Sequence, residues 1–231
     1  MIYRNLFCIF LITILCISCS KKNIEKSKIN EVNLESQMIE AYKQGMKELD
    51  AGDALFAAKK FNEAEILFPQ SKYAPKSALM AAYSYYSQNY YSDAMAELIR
   101  FLRVYPNHKD VVYAEYLLGL CYYEQIVDEK KDLESIINAK KTFESLISKH
   151  PNTEFASDAM FKINLIDEIL AAKEMYLGRY YQGKKKWVPA INRFRVVVDD
   201  YETTIYVEEA IHRLVEIYYT LGIDKEAIKY A

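Results

Sequence analysis

Apolar side chains return along this chain at intervals of three and four, the period of a helix buried along one face. No stretch alternates between apolar and polar cleanly enough to make a strand. A longer period rides on the short one. A small residue is followed three places on by tyrosine, twelve on by alanine, sixteen on by an aromatic or leucine, and then by proline: Ala82, Tyr85, Ala94, Leu98 and Pro106 carry every step. Gly178, Tyr181, Ala190 and Phe194 repeat it, with Glu202 in the proline place. Gly119, Tyr122, Ala139, Phe143 and Pro151 repeat it with eight extra residues before the alanine. Gly45, Ala57, Phe61, Ala64 and Pro69 lack only the tyrosine, and Val215, Tyr218 and Ala227 form a last, partial copy.

Such a period is that of the tetratricopeptide repeat, in which each unit of about 34 residues is a pair of antiparallel helices stacked on the next. The small residues belong where helices cross closely, the aromatics fill the space left between one hairpin and the next, and proline closes the second helix. The expected architecture is therefore all-α, a solenoid of about five repeats over 36–231, at about 38–71, 75–108, 112–153, 171–204 and an incomplete 208–231. Composition agrees, with 52% hydrophobic residues and only 6 glycines and 5 prolines in 231 residues.

The amino terminus addresses the compartment. Met1 to Ser18 holds one charge, Arg4, before an apolar run from Leu6 through Ile17. That run falls short of the roughly 20 residues that span a bilayer and has the form of a secretory signal. Its end, Leu15-Cys16-Ile17-Ser18-Cys19, resembles a bacterial lipobox, which makes 1–18 a lipoprotein signal peptide and Cys19 the acylated residue. Residues 19–35, rich in Lys, Asn, Glu and Ser, are expected to form a flexible tether from that anchor. By the same resemblance, Ser20 rather than aspartate after the cysteine implies the outer membrane, facing the periplasm.

Catalytic chemistry is not announced. His108, His150 and His212 lie in different repeats without metal-ligand spacing, His108 and His150 beside prolines where solvated loop histidines are expected. No phosphate loop, serine elbow or cysteine cluster is present, so no catalytic residue, metal or cofactor is expected. Cys121, two past Gly119, reads as a buried structural thiol. The formal charge of −2, or −3 once Arg4 leaves with the signal, argues against nucleic acid as a partner.

Surfaces remain. In an array of this kind the first helix of each pair lines the concave face, and its exposed offsets fall on Tyr42, then Tyr83 and Tyr86, then Tyr113, Tyr116 and Tyr123. In the fourth repeat they fall on Ala172, Met175, Arg179 and Gln182, where the aromatic lining stops. A tyrosine face suits peptide capture, because each ring offers large contact area and a hydrogen-bonding tip, although the same rings also suit packing between hairpins. A second candidate surface is basic: Lys184-Lys185-Lys186 in the turn of the fourth repeat, then Trp187, Arg193 and Arg195. Of these, Lys185, Trp187 and Arg193 are the expected partner contacts.

Four segments carry a family resemblance: Phe68-Pro69-Gln70-Ser71-Lys72-Tyr73-Ala74, Tyr113 through Leu120, His150 through Ala159, and Trp187 through Phe194. With the lipobox and the repeats, they resemble the BamD family of the outer-membrane β-barrel assembly machine. The insertion at Ile126 to Asn138 and an extra helix at about Glu154 to Leu170 look like that family too. The resemblance implies a non-enzymatic scaffold that binds unfolded outer-membrane proteins, the periplasmic POTRA domain of BamA and other subunits of the machine. Another envelope tetratricopeptide lipoprotein, a secretin pilotin or a cell-division and peptidoglycan coordinator, is the alternative.

Overall fold

The computed structural model describes residues 31–126 and 133–231. The expected signal peptide, Cys19 and most of the tether lie outside them, as does the middle of the third-repeat insertion. Among the described residues there are ten helices and no strand: α1 Glu31–Asp50, α2 Ala54–Leu67, α3 Ala74–Ser87, α4 Tyr91–Val104, α5 Val111–Glu124, α6 Glu134–Lys149, α7 Glu154–Gly183, α8 Trp187–Asp200, α9 Val207–Thr220 and α10 Asp224–Tyr230. From α2 onward each helix packs against the next, and α5 also touches α7. The main compact unit runs from Leu34 to Ala231. Its fold is a tetratricopeptide-like helical solenoid.

Helix α1 starts at Glu31, inside the stretch expected to be tether. Half-buried Leu34 is followed at helical spacing by Met38 and Ala41, both buried, so packing carries the helix back toward its start.

Four of the hairpin turns share one device. Gly52, Asn89, Lys185 and Gly222, each seven places after the small residue of its repeat, have φ of 83°, 64°, 55° and 70°. The next residue then donates its N–H back to a carbonyl of the last turn: Asp53 to Glu48 at 2.9 Å, Tyr90 to Tyr85 at 3.0 Å, Lys186 to Tyr181 at 2.9 Å and Ile223 to Tyr218 at 2.9 Å. This is the Schellman closure, which needs a left-handed residue at its corner. Glycine and asparagine adopt that conformation readily, and lysine pays a steric penalty from its Cβ. Lys185→Gly is therefore expected to stabilise the solenoid by about 1 kcal/mol, a rise of a few degrees in melting temperature. A thermal melt showing no gain would mean that the corner is not strained.

The small residues meet the aromatics within a hairpin. A Cβ built on Gly178 would lie 2.5 Å from Cε1 of Phe194, and one on Gly45 would lie 2.9 Å from the ring of Phe61; Gly119 stands closer still to Phe143. The sequence spacing placed the aromatics between one hairpin and the next; Phe61, Phe143 and Phe194 instead press on the small residue of their own hairpin. Phe61, Phe101, Phe143 and Phe194 are the largest side chains with no exposed surface.

The expected division between an extra helix, Glu154 to Leu170, and a repeat starting at 171 is absent: α7 runs unbroken for 30 residues. No glycine or proline interrupts it before Gly178. Thr153 caps it, its hydroxyl accepting from Ala156 N–H at 3.2 Å. The first half buries Ala156, Ala159 and Ile166 against α6, and the second buries Ala171, Met175 and Gly178 in the core shared with α8 and α9. One helix thus closes the third hairpin and opens the fourth.

Candidate functional site

Of the six tyrosines singled out from the sequence, four come together. Tyr83 and Tyr86 on α3 face Tyr113 and Tyr116 on α5, near enough that Tyr83 bears on the ionisation of Tyr113, and Tyr86 and Tyr113 on that of Tyr116. Tyr83 is exposed and the other three are half-buried. Burial, with Glu124 second, pushes the Tyr86 phenol up to about 12, and burial followed by Tyr83 raises that of Tyr113. The hydroxyls of Tyr86, Tyr113 and Tyr116 therefore stay protonated donors at neutral pH.

The amino-terminal turn of α7 completes this face with residues that the repeat spacing did not mark. Phe155 packs its ring 5.3 Å from Tyr116 and 5.6 Å from Tyr113. The Tyr116 hydroxyl donates to Asp158, and together with burial this bond raises its phenol further. Tyr116 is thus partly committed to holding α5 against α7, and Tyr86 leans on Tyr91 at 5.9 Å. Tyr83 is the freest of the four. Their shared feature is a wall of rings with hydroxyl tips and one carboxylate, suited to an extended segment bearing aromatic side chains and backbone amides.

Tyr42 and Tyr123 stand apart from this group. Tyr42 lies edge-on to Phe61 at 5.2 Å under the Lys76 ammonium, and Tyr123 sits beneath Lys162 with its nitrogen 4.8 Å from the ring centre. Where the tyrosine lining ends, charge takes over. Arg179 on α7 grips Glu209 on α9 with two bonds of 2.9 and 2.5 Å, Gln182 reaches Glu216 at 3.0 Å, and Arg213 bonds both glutamates. Arg179 holds the Glu209 carboxyl below its ordinary range. The fourth and fifth hairpins thus saturate their own polar groups along this line.

The basic candidates are divided by the structure. Lys185 is exposed at the left-handed corner, but Trp187 is half-buried against the α7–α8–α9 core. Arg193 bonds both oxygens of Glu174 on α7, at 3.1 and 2.9 Å, so it holds the hairpin together as well as facing outward. Beside it Tyr181, Val188, Pro189, Asn192 and Val196 line a groove of about 250 Å³, with Val188 68% exposed. Cys121 is buried, and burial pushes its thiol up to about 12. His108 and His150 are half-buried rather than freely solvated, His108 edge-on to Phe101 at 6.0 Å and His150 with Nε2 3.6 Å from Glu115.

Stacked helix hairpins with an aromatic face and a charged face define a helical-repeat scaffold of the tetratricopeptide type. Within that class the chain belongs to the YfiO family of outer membrane lipoproteins, which it matches over residues 34–231. It is 38% identical over 205 residues to the outer membrane protein assembly factor BamD of Rickettsia prowazekii, covering 89% of this chain and 82% of that one. The BamD of Caulobacter vibrioides is 38% identical over 186 residues, 80% of this chain and 61% of its own length. That of Neisseria meningitidis serogroup A is 30% identical over 191 residues, 78% and 72%. The chain thus spans less than two thirds of the Caulobacter relative.

Proposed function

We propose that this protein is a non-enzymatic assembly factor for outer-membrane β-barrel proteins, held by an acylated Cys19 on the periplasmic side of the outer membrane after removal of a signal at 1–18. The solenoid presents unfolded precursors on the face built from Tyr83, Tyr86, Tyr113 and Tyr116, and engages the POTRA domain of BamA and its companion subunits through the fourth and fifth hairpins, around Lys185, Trp187 and Arg193. Family membership supports the role, and the observation that carries the precursor site is the convergence of four tyrosines from two successive hairpins beside Phe155. Unfolded barrel strands expose alternating aromatic side chains and unpaired amides, for which rings with protonated hydroxyls are good receivers.

Tyr83 offers the cleanest test because it is the most exposed and supports the least packing. Tyr83→Ala combined with Tyr86→Ala should weaken crosslinking to an unfolded barrel precursor at least fivefold, the loss expected where buried tyrosines carry about 1 kcal/mol or more of binding, with unchanged helical circular dichroism. Full crosslinking by a folded double variant would remove this face from the reading. Arg193→Glu is a poor probe of the BamA contact, since it sets a second carboxylate against Glu174 inside the hairpin.

A further inference from the structure

We propose that the groove at the first hairpin docks anionic phospholipid at the surface of the membrane that holds the chain. The groove encloses about 350 Å³ and is lined by Met38, Ile39, Tyr42, Lys43, Tyr73 and Lys76. Its floor is apolar, with Ile39 40% and Tyr73 41% exposed, and its rim is basic. The Lys76 nitrogen lies 5.6 Å from the Tyr42 ring centre, and that of Lys72 lies 5.1 Å from Tyr73. Among the described residues no carboxylate pairs with Lys43, Lys72 or Lys76, whereas the arginines of the later hairpins are matched to glutamates. Glu40, one turn before Lys43, is engaged by Gln44 at 3.1 Å. An occupant must therefore carry an anionic head on an apolar body.

Two observations select a lipid surface over a peptide carboxylate. Eleven residues lie between Cys19 and Glu31, a span of at most about 40 Å when fully extended, so on the anchoring reading given above the membrane surface is always within reach of α1. Those residues hold Lys21, Lys22, Lys26 and Lys28 against Glu25, in a mature chain whose overall charge is negative. In sequence, positive charge is thus gathered between the anchoring residue and α1, and Lys43, Lys72 and Lys76 add to it at the groove. Each basic side chain brought to an anionic bilayer strengthens binding roughly fivefold, and salt screens the effect.

The test uses the full mature chain with Cys19→Ser, so that no acyl chain contributes, sedimented with phosphatidylcholine vesicles with and without phosphatidylglycerol. The parent should bind only the anionic vesicles. Replacing Lys43, Lys72 and Lys76 together by Gln should weaken that binding by roughly a hundredfold. Ile39→Asp should weaken it with all lysines in place, and both variants should keep their circular dichroism. Parent-like binding by a folded triple variant would assign any lipid affinity to the tether and overturn the proposal, as would equal binding to both vesicle types. A groove that instead captures a peptide ending in an aromatic residue and free carboxylate, without competition from vesicles, is a peptide site. Fatty-acid labelling of Cys19 reports the anchor separately, so loss of the anchor and loss of the groove are told apart.

Discussion

Gly178→Ala should lower the stability of the solenoid by about 1 to 3 kcal/mol, although alanine is the better helix former. In an open helix the substitution would gain about 1 kcal/mol, since glycine carries the larger entropy cost of ordering. Here the new methyl would meet Cε1 of Phe194 at 2.5 Å, and Phe194 has no exposed surface into which to turn. Overpacking therefore outweighs propensity. The second hairpin shows the compensating solution, for it has Ala82 and Leu98 in the same two places, both fully buried in one cluster. Phe194→Leu alone should also destabilise, by opening a void. The double variant should be more stable than the sum of the two singles predicts, with a coupling in the range of about 0.5 to 3 kcal/mol that contacting residues show. Chemical denaturation of the four proteins closes the cycle. Additive losses would mean that the pair does not set the crossing.

How much of this was legible in the sequence follows from which interactions are local. The hairpins were, because a period of three and four and a longer period of about 34 both report burial that every repeat must achieve. The contact between the small residue and the aromatic sixteen places later was visible as spacing, but its place inside the hairpin was not, since spacing does not say which way a side chain leans. Helix α7 was misdivided at residue 170 because family resemblance suggested a unit boundary where the backbone has no reason to stop. Nothing in Ile169-Leu170-Ala171 breaks a helix, and its two halves simply bury different faces. The absence of proline at Glu202 mattered little: α8 ends at Asp200 with Tyr201 N–H bonded to Val197, and Thr204 returns a hydroxyl bond of 2.8 Å to Tyr201.

The candidate surfaces were half legible for a related reason. Offsets along a helix locate a side chain on a face, and four of the six tyrosines do share one. They do not show what arrives from elsewhere in the chain: Phe155 and Asp158 reach Tyr113 and Tyr116 from about 40 residues away, and Glu174 reaches Arg193 from the preceding helix. A signal for the first was available. Phe155 and Asp158 sit at the start of α7, three places apart, on the side that also carries Lys162 toward Tyr123. Side chains with such internal bonds are positioned as well as exposed, which is what a capture face requires, since an ordered ring has less entropy to lose on binding.

The same ordering extends to the opposite side of the first two hairpins, and its removal should be the most damaging polar substitution in the chain. Arg100 on α4 grips Glu65 on α2 with bonds of 2.9 and 2.7 Å, and its Nε holds Glu97 at 2.8 Å. Asn62 bridges Arg100 and Glu97, and the Tyr105 hydroxyl donates to Glu65 at 2.7 Å. Glu65 is only 7% exposed, so its charge depends on these donors. Arg100→Met would keep the length of the side chain and leave that carboxylate with Tyr105 alone. Losing one partner of a buried pair costs about 3 to 5 kcal/mol, and the 31% exposure of the Arg100 side chain reduces the expected loss to about 2 to 3 kcal/mol. Arg100→Lys should fall between, because an ammonium cannot make the forked contact. Adding Glu65→Leu to Arg100→Met should recover most of the loss, since an apolar pair incurs no desolvation of charge. Urea unfolding of the three variants measures this order directly. If Arg100→Met alone proved harmless, the network would be a surface ornament that does not fix α2 against α4. The expected order instead makes it a strut that holds the first hairpin in step with the second, and so holds α3 and its tyrosines at a fixed distance from α5.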